Sequence, residues 1–187
     1  MAEALIGLVL FHLLFFRRFY FANPFVYATS EPMDTAFPSS IHLGRCLRAG
    51  NWAVDCDPYY YPQYRALPFL SSYYPPHMVQ AWLSTFLPLD AAWVLYSLTS
   101  VLHFLLASIG AYLLFSTFGP FLAFFGAITF AYMGYAIKQN ATIIYTLAWV
   151  PWVFYGADVH SWWITGLSLG MMTLAGYWPI ALYLWPL

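Results

Sequence analysis

The sequence predicts an all-α, polytopic membrane protein with about five transmembrane helices and a long first loop that contains short interfacial helices. Three observations predict this class. First, 63% of the 187 residues are hydrophobic and 7% are charged, whereas roughly 25% of residues in soluble domains are charged. Second, residues 91–137 contain no Asp, Glu, Lys or Arg, and one span needs only about 20 apolar residues. Third, the net charge of −1 provides no basic surface for nucleic-acid phosphates, so we exclude nucleic acid as a partner.

The first transmembrane helix is predicted within residues 1–27. The apolar stretch at residues 4–16 is shorter than the roughly 20 residues that span a bilayer. No basic residue precedes it and no cleavage site of the A-x-A kind follows it, so we interpret it as a membrane helix rather than a signal peptide. Arg17 and Arg18 then reach the headgroups, or the chain has lost residues upstream of Met1.

Residues 28–90 form the only long polar region, and we predict that they are an extracytoplasmic loop. Short helices are expected near residues 38–47 and near residues 78–87. The second of these should lie along the membrane surface, because Trp82 and Phe86 share a face at i, i+4. The intervening residues are rich in Pro and Tyr and should be irregular.

Four more transmembrane helices are predicted within residues 91–187. Gly119-Pro120 divides the long uncharged run, since Gly permits a reversal of the backbone and Pro suits a first helical turn. Gly166 and Gly170 form a G-x-x-x-G pattern, which is typical of closely packed membrane helices. The sequence ends inside an apolar run, and we therefore expect a longer chain.

Two carboxylates, Glu31 and Asp34, follow the first helix closely and are our candidate catalytic residues. A carboxylate at the membrane surface is well placed to act as a base on a lipid-borne substrate. The alternative is that Asp34 caps the short helix that follows it. The spacing alone leaves both roles open.

Arg45 and Arg48 are three residues apart, so they share one face of the predicted helix and could clamp a phosphate with their forked donors. The alternative is that both bind lipid headgroups. His77, in the second short helix, is the third candidate substrate-binding residue. His103 falls inside a predicted span, where a neutral histidine bonded to a neighbouring helix is expected.

No metal and no cofactor are predicted. Asp55 and Asp57 offer fewer oxygen donors than the usual cation-binding loops need. Two cysteines are too few for a structural zinc site, and the histidines do not supply a recognised ligand spacing. Cys46 and Cys56 either form a disulfide, if the loop faces an oxidising compartment, or remain free thiols.

Three separated strings carry a family resemblance when they are taken in order. The first lies in the loop and consists of Asp34, Phe37-Pro38, Leu47-Arg48-Ala49-Gly50-Asn51-Trp52, Pro58-Tyr59, Pro68-Phe69-Leu70 and Tyr74-Pro75-Pro76. The second is residues 125–135 followed by Ala148-Trp149-Val150-Pro151, and the third is residues 174–183. In this order the strings resemble the bacterial YfhO-like membrane proteins, which are related to GT-C glycosyltransferases.

The resemblance implies a partial GT-C-like fold in the bacterial cytoplasmic membrane, and transfer of a sugar from a polyprenyl-phosphate donor to a cell-envelope acceptor. The catalytic carboxylate of GT-C enzymes comes from the first extracytoplasmic loop, just after the first helix. Asp34 has that position here, so the resemblance ranks it above Glu31 as the base. Family members contain many more helices, and we therefore expect this chain to be an N-terminal part.

The orientation of the loop is predicted differently by two arguments. The resemblance places the loop outside the cytoplasm, and we adopt this orientation. All six Lys and Arg then lie on the outer side, which is contrary to the positive-inside tendency. Loops near 60 residues are at the margin where that tendency loses force.

Two other functions are compatible with the sequence. One is a non-catalytic membrane subunit or scaffold whose loop docks a partner protein. The other is a transporter of lipid-linked sugars, although the spans contain no evident relay of ionisable residues. The expected partners are membrane lipid, the polyprenyl-phosphate sugar donor, and either the remaining helices of a longer chain or a partner subunit.

Overall fold

A computed structural model describes residues 2–23, 37–51, 72–133 and 141–176. These ranges contain helices and turns and no strand, so the predicted all-α class is confirmed for them. The helices are α1 (Ala2–Phe15), α2 (Arg17–Phe21), α3 (Phe37–Arg48), α4 (Pro75–Ser84), α5 (Leu89–Phe115), α6 (Pro120–Ala131), α7 (Ala141–Leu147), α8 (Val150–Asp158) and α9 (Trp162–Leu174).

Helix α5 is the centre of the fold. It has 27 residues, which corresponds to a length of about 40 Å. With the turn that follows it (Leu89–Phe118), it is the one helix in the described ranges that is long and apolar enough to cross a membrane. Helices α4, α6 and α8 pack directly against it, and α1 and α7 also contact it. In the other predicted spans the described helices have at most 14 residues.

The reversal predicted at Gly119-Pro120 is present. A short 3-10 turn (Ser116–Phe118) follows α5, and α6 begins at Pro120. Gly119 has a φ of 94°, a backbone conformation that favours glycine. Helix α6 then packs closely on α5, and a Cβ atom added at Gly126 would lie 2.7 Å from the ring of Phe115.

In the described ranges, large apolar side chains are exposed and several polar side chains are buried. Large apolar side chains are exposed on the outer faces of three helices, namely Ile6, Leu10 and Leu14 of α1, Phe121, Leu122 and Phe125 of α6, and Trp162, Trp163 and Leu167 of α9. Polar side chains are buried between the helices, namely His12, Ser40, His77, Gln80, Ser84, Ser97, His103, Ser108, Thr146 and Ser168. Extended exposed apolar surfaces mark membrane or partner contacts, and contacts of either kind would cover these faces.

The two short helices predicted in the loop are present as α3 and α4. Helix α4 begins three residues earlier than predicted, at Pro75, because proline is well suited to the first turn of a helix, where its missing N–H leaves no hydrogen bond unmade. Trp82 and Phe86 contact each other as the i, i+4 spacing predicts, with ring centroids 5.0 Å apart. Helices α3 and α4 pack against each other, and α4 packs against α5.

The close packing predicted for Gly166 and Gly170 is wrong for the part of the chain that the structure describes. Both glycines are exposed, and no atom lies within 4 Å of a Cβ added at either. The buried positions of α9 are Ser168 and Met172, and an offset of two residues turns the glycines about 200° away from that face. The close approach between α8 and α9 occurs instead at Gly156, beside Thr165.

Candidate functional site

A cleft of about 270 Å³ lies where the end of α3, the end of α4 and the start of α5 meet. Arg45 and Arg48 both line it, so the predicted sharing of one helix face is confirmed. The other lining residues are Ile41, Ser84, Thr85, Leu87, Leu89 and Ala92. The cleft therefore combines two guanidinium groups with a largely apolar wall, which suits an anion attached to a hydrocarbon chain.

The two arginines differ in the contacts that their guanidinium groups make with the protein. Nη1 of Arg48 donates a hydrogen bond of 3.4 Å to the carbonyl oxygen of Thr85. The same guanidinium lies over the ring of Phe86, with Cζ 4.8 Å from the ring centroid. Arg45 is exposed and has no hydrogen bond or ion pair with any described residue. Within the described ranges no protein group occupies the five N–H donors of Arg45, which can pair with an anion.

Hydrogen bonds between buried side chains join α3 to α4 next to the cleft. Ser40 Oγ donates to Gln80 Oε1 at 3.1 Å, and Gln80 Nε2 donates to Ser84 Oγ at 2.8 Å. Ser84 Oγ in turn donates to the carbonyl oxygen of Gln80 at 2.8 Å. All three side chains are buried, and a buried polar group is stable only when it is hydrogen-bonded. The contact therefore fixes the two helices relative to each other.

Gly44 lets the two helices approach at the level of the cleft. A Cβ atom added there would collide with the carbonyl oxygen of Ala81 and would lie 2.8 Å from Cγ2 of Thr85. Only glycine permits this backbone contact. Because Arg45 is the next residue, the contact also sets the distance of its side chain from α4.

A second polar cluster joins the end of the loop to the helical bundle. Nδ1 of His103 lies 2.6 Å from the carbonyl oxygen of Thr99, which can only accept, so we assign the imidazole proton to Nδ1. Tyr74 Oη therefore donates to His103 Nε2, at 2.6 Å. Trp149 Nε1 donates to Tyr74 Oη at 2.8 Å.

His103 was predicted to bond to a neighbouring helix, and its partner Tyr74 instead lies one residue before α4, at the end of the loop. Burial raises the pKa of Tyr74 above its usual value, and the Trp149 hydrogen bond lowers it by a smaller amount. The phenol consequently stays protonated and keeps donating to His103. Tyr74 is fully buried, so the cluster holds the beginning of α4 against α5 and the turn before α8.

His77 is not brought together with the two arginines. It is buried in α4, and its ring lies 6.0 Å from that of Tyr145 and 6.4 Å from that of Tyr96. The residues that line the cleft do not include it. The position of His77 therefore favours a role in helix packing over contact with a ligand in this cleft.

His12 forms a buried contact that was not predicted from the sequence. Its Nδ1 lies 2.8 Å from Tyr132 Oη, and its Nε2 lies 3.0 Å from Tyr20 Oη. The imidazole is buried, and these bonds join α1 to α2 and to the end of α6. The available signal was that His12 is the one polar residue in the apolar stretch 4–16, because such a residue usually needs a partner on another helix.

The candidate catalytic residues Glu31 and Asp34 lie outside the described residues, as do Asp55, Asp57 and Cys56. Cys46 is disulfide-bonded, and Cys56 is the only other cysteine in the chain. Within the described ranges no group of three or more His, Cys, Asp or Glu side chains is arranged to hold a metal ion.

The comparisons with known proteins add no relative. No family model, no curated protein and no solved structure matches this chain. The resemblance to the YfhO-like proteins therefore stays a prediction, and the functional argument depends on the site itself.

Proposed function

We propose that the chain is a GT-C-like membrane glycosyltransferase, or part of one, that transfers a sugar from a polyprenyl-phosphate donor to a cell-envelope acceptor. The observation that carries the proposal is the cleft with Arg45 and Arg48 beside the start of α5. A guanidinium forms paired hydrogen bonds with phosphate oxygens, and the apolar wall fits the attached hydrocarbon chain. Such a cleft suits a phosphate that remains in the membrane.

The reaction follows from these groups. An acceptor hydroxyl oxygen attacks the anomeric carbon of the donor sugar, and the bond between that carbon and the phosphate oxygen breaks. The hydroxyl proton passes to Asp34, and polyprenyl phosphate leaves. Negative charge increases on the departing phosphate, and fixed cationic donors stabilise such charge. Arg45 is the principal donor in this scheme, because its N–H groups are not used by other described residues.

We place five helices across the bilayer and the loop outside the cytoplasm. The exposed apolar faces of α1, α6 and α9 support spans at these helices, beyond the one at α5. The fifth proposed span is the segment that contains α7 and α8. The disulfide at Cys46 supports an extracytoplasmic loop, because disulfides persist in oxidising compartments. The arginine cleft, which contains two helices of this loop, then opens at the outer membrane surface.

Binding of the lipid phosphate tests the role of the cleft without knowledge of the sugar. In detergent, Arg45→Gln should weaken the Kd for polyprenyl phosphate about tenfold or more, since a hydrogen bond to a charged group contributes about 1.5–3 kcal/mol. Arg17→Gln is the matched control, because Arg17 is exposed on α2 and does not line the cleft. Polyprenol, which lacks the phosphate, should bind all three proteins equally. If Arg45→Gln and Arg17→Gln had equal Kd values for polyprenyl phosphate, the role of Arg45 in phosphate binding would be contradicted.

A further inference from the structure

Helix α4 and the turn after it carry an exposed apolar strip beside the arginine cleft. We name it the interfacial strip, and it consists of Val79, Trp82, Leu83, Phe86 and Leu87. Trp82 is 43% exposed and Phe86 is 55% exposed, although the opposite side of α4 is buried against α3 and α5. No described helix covers the strip.

The depth of the strip follows from its connection to the spanning helix. Helix α4 ends at Ser84, and α5 begins at Leu89. Because we place α5 across the bilayer, its start lies at a membrane boundary, and α4, which packs on α5, lies at the same level. Trp and Tyr are enriched at this level, and the Trp82–Phe86 ring pair presents a broad aromatic surface to it.

Among the described residues, the charge beside the strip is predominantly positive. The Arg48 guanidinium lies over the ring of Phe86, and Arg45 is exposed on the same side of α3. Asp90 is the single acidic residue within residues 37–51 and 72–100. An apolar strip with arginines at its border matches the boundary between acyl chains and anionic headgroups.

We propose that the interfacial strip and Arg48 bind the anionic surface of the bilayer. Trp82 and Phe86 insert at the level where headgroups meet acyl chains, and Arg48 binds a phosphate of a bulk anionic phospholipid. This interaction needs neither the sugar donor nor the transfer reaction. It rests on the proposed placement of α5 across the bilayer, and its failure is distinguishable from failure of the proposed transfer reaction.

Spin-label depth measurements in nanodiscs test the insertion. Labels are attached to Phe86→Cys, to Leu102→Cys in the middle of α5, where Leu102 is exposed, and to Asn51→Cys after α3. The Phe86 label is expected about 5–10 Å below the headgroup surface, with the Leu102 label deeper and the Asn51 label more accessible to aqueous collision reagents. A Phe86 label as accessible to water as the Asn51 label, or as deep as the Leu102 label, overturns the proposal.

Photo-cross-linking tests the lipid selectivity. The full chain carries p-benzoylphenylalanine in place of Trp82 and is placed in nanodiscs of phosphatidylcholine with phosphatidylglycerol. We expect phosphatidylglycerol to be enriched among the cross-linked lipids, and Arg48→Gln to reduce the enrichment about fivefold. Arg48→Lys keeps the charge and should retain most of it. Cross-linked lipids that mirror the nanodisc composition, or enrichment unchanged in Arg48→Gln, overturn the proposal.

Polyprenyl phosphate also carries a phosphate group that Arg48 could bind. The nanodiscs of the first experiment therefore contain phosphatidylglycerol and no polyprenyl phosphate. Enrichment of phosphatidylglycerol in this experiment supports binding of bulk anionic phospholipid by the interfacial strip and Arg48. If phosphatidylglycerol is not enriched and adding polyprenyl phosphate produces cross-links to it alone, Arg48 serves the donor only. That outcome overturns this proposal and supports the proposed function.

Discussion

Replacing Asp34 by Asn is expected to lower sugar transfer by about 100-fold to 10,000-fold, the range that general-base catalysis contributes. The amide keeps the shape of the carboxylate and removes its basicity, so the acceptor hydroxyl would have to lose its proton to water. Expression and membrane insertion should not change. The measurement is the rate of sugar transfer from the polyprenyl-phosphate donor by the full-length protein in proteoliposomes.

Two further substitutions show whether the loss belongs to Asp34. Glu31→Gln should reduce transfer less than Asp34→Asn, because the resemblance places the base at Asp34. Asp90→Asn is the control for a general loss of negative charge, since Asp90 is exposed in the first turn of α5. Wild-type transfer by Asp34→Asn would remove this residue from the mechanism, and a larger loss in Glu31→Gln would reassign the base.

Replacing Gly44 by Ala is expected to lower the free energy of unfolding by about 1–3 kcal/mol, the usual cost of an overpacked site. The added methyl group collides with the carbonyl oxygen of Ala81, and a backbone atom cannot move aside as the end of a flexible side chain can. Separation of α3 from α4 should also move Arg45 and weaken binding of polyprenyl phosphate. Thermal unfolding in detergent and the Kd for polyprenyl phosphate measure the two effects.

Gly166→Ala provides the matched control for Gly44→Ala. It adds the same methyl group to a helix, at a position where no described atom lies within 4 Å. Alanine also favours helix by about 1 kcal/mol over glycine, so this variant should unfold at the same temperature as wild type or at a higher one. If both substitutions lowered the free energy of unfolding equally, the contact between α3 and α4 would not be the cause of the effect of Gly44→Ala.

Local sequence signals predicted the elements around the cleft. Short helices were expected close to α3 and α4, with Trp82 and Phe86 on one face of the second, and Gly119-Pro120 indicated the reversal before α6. Arg45 and Arg48 were paired by their i, i+3 spacing alone, because residues three apart share a helix face. These features depend on residues that are near each other in the chain, and such features can be predicted from sequence.

Contacts between distant segments could not be predicted in the same way. His12 bonds to Tyr132, and Tyr74 bonds to both His103 and Trp149. The composition marks these side chains as polar residues that need partners but does not say which partners they have. The G-x-x-x-G pattern of α9 has the same limit. It indicates a face on which another helix can pack, but it does not identify that helix.

The orientation of the loop follows from no single sequence feature. The positive-inside tendency and the family resemblance predict opposite sides, and the proposed reaction needs the outer side. The disulfide at Cys46 favours the outer side and leaves no free thiol in the described ranges. One added cysteine can therefore report the orientation.

The most direct test of the central claim is labelling of single added cysteines in intact bacteria with a maleimide that does not cross the cytoplasmic membrane. The two sites are Asn51→Cys, at the end of α3, and Asp158→Cys, at the end of α8, and both residues are exposed. With five spans and the loop outside, Asn51→Cys is labelled in intact cells and Asp158→Cys only after lysis. Labelling of Asn51→Cys only after lysis would place the arginine cleft in the cytoplasm and contradict the account.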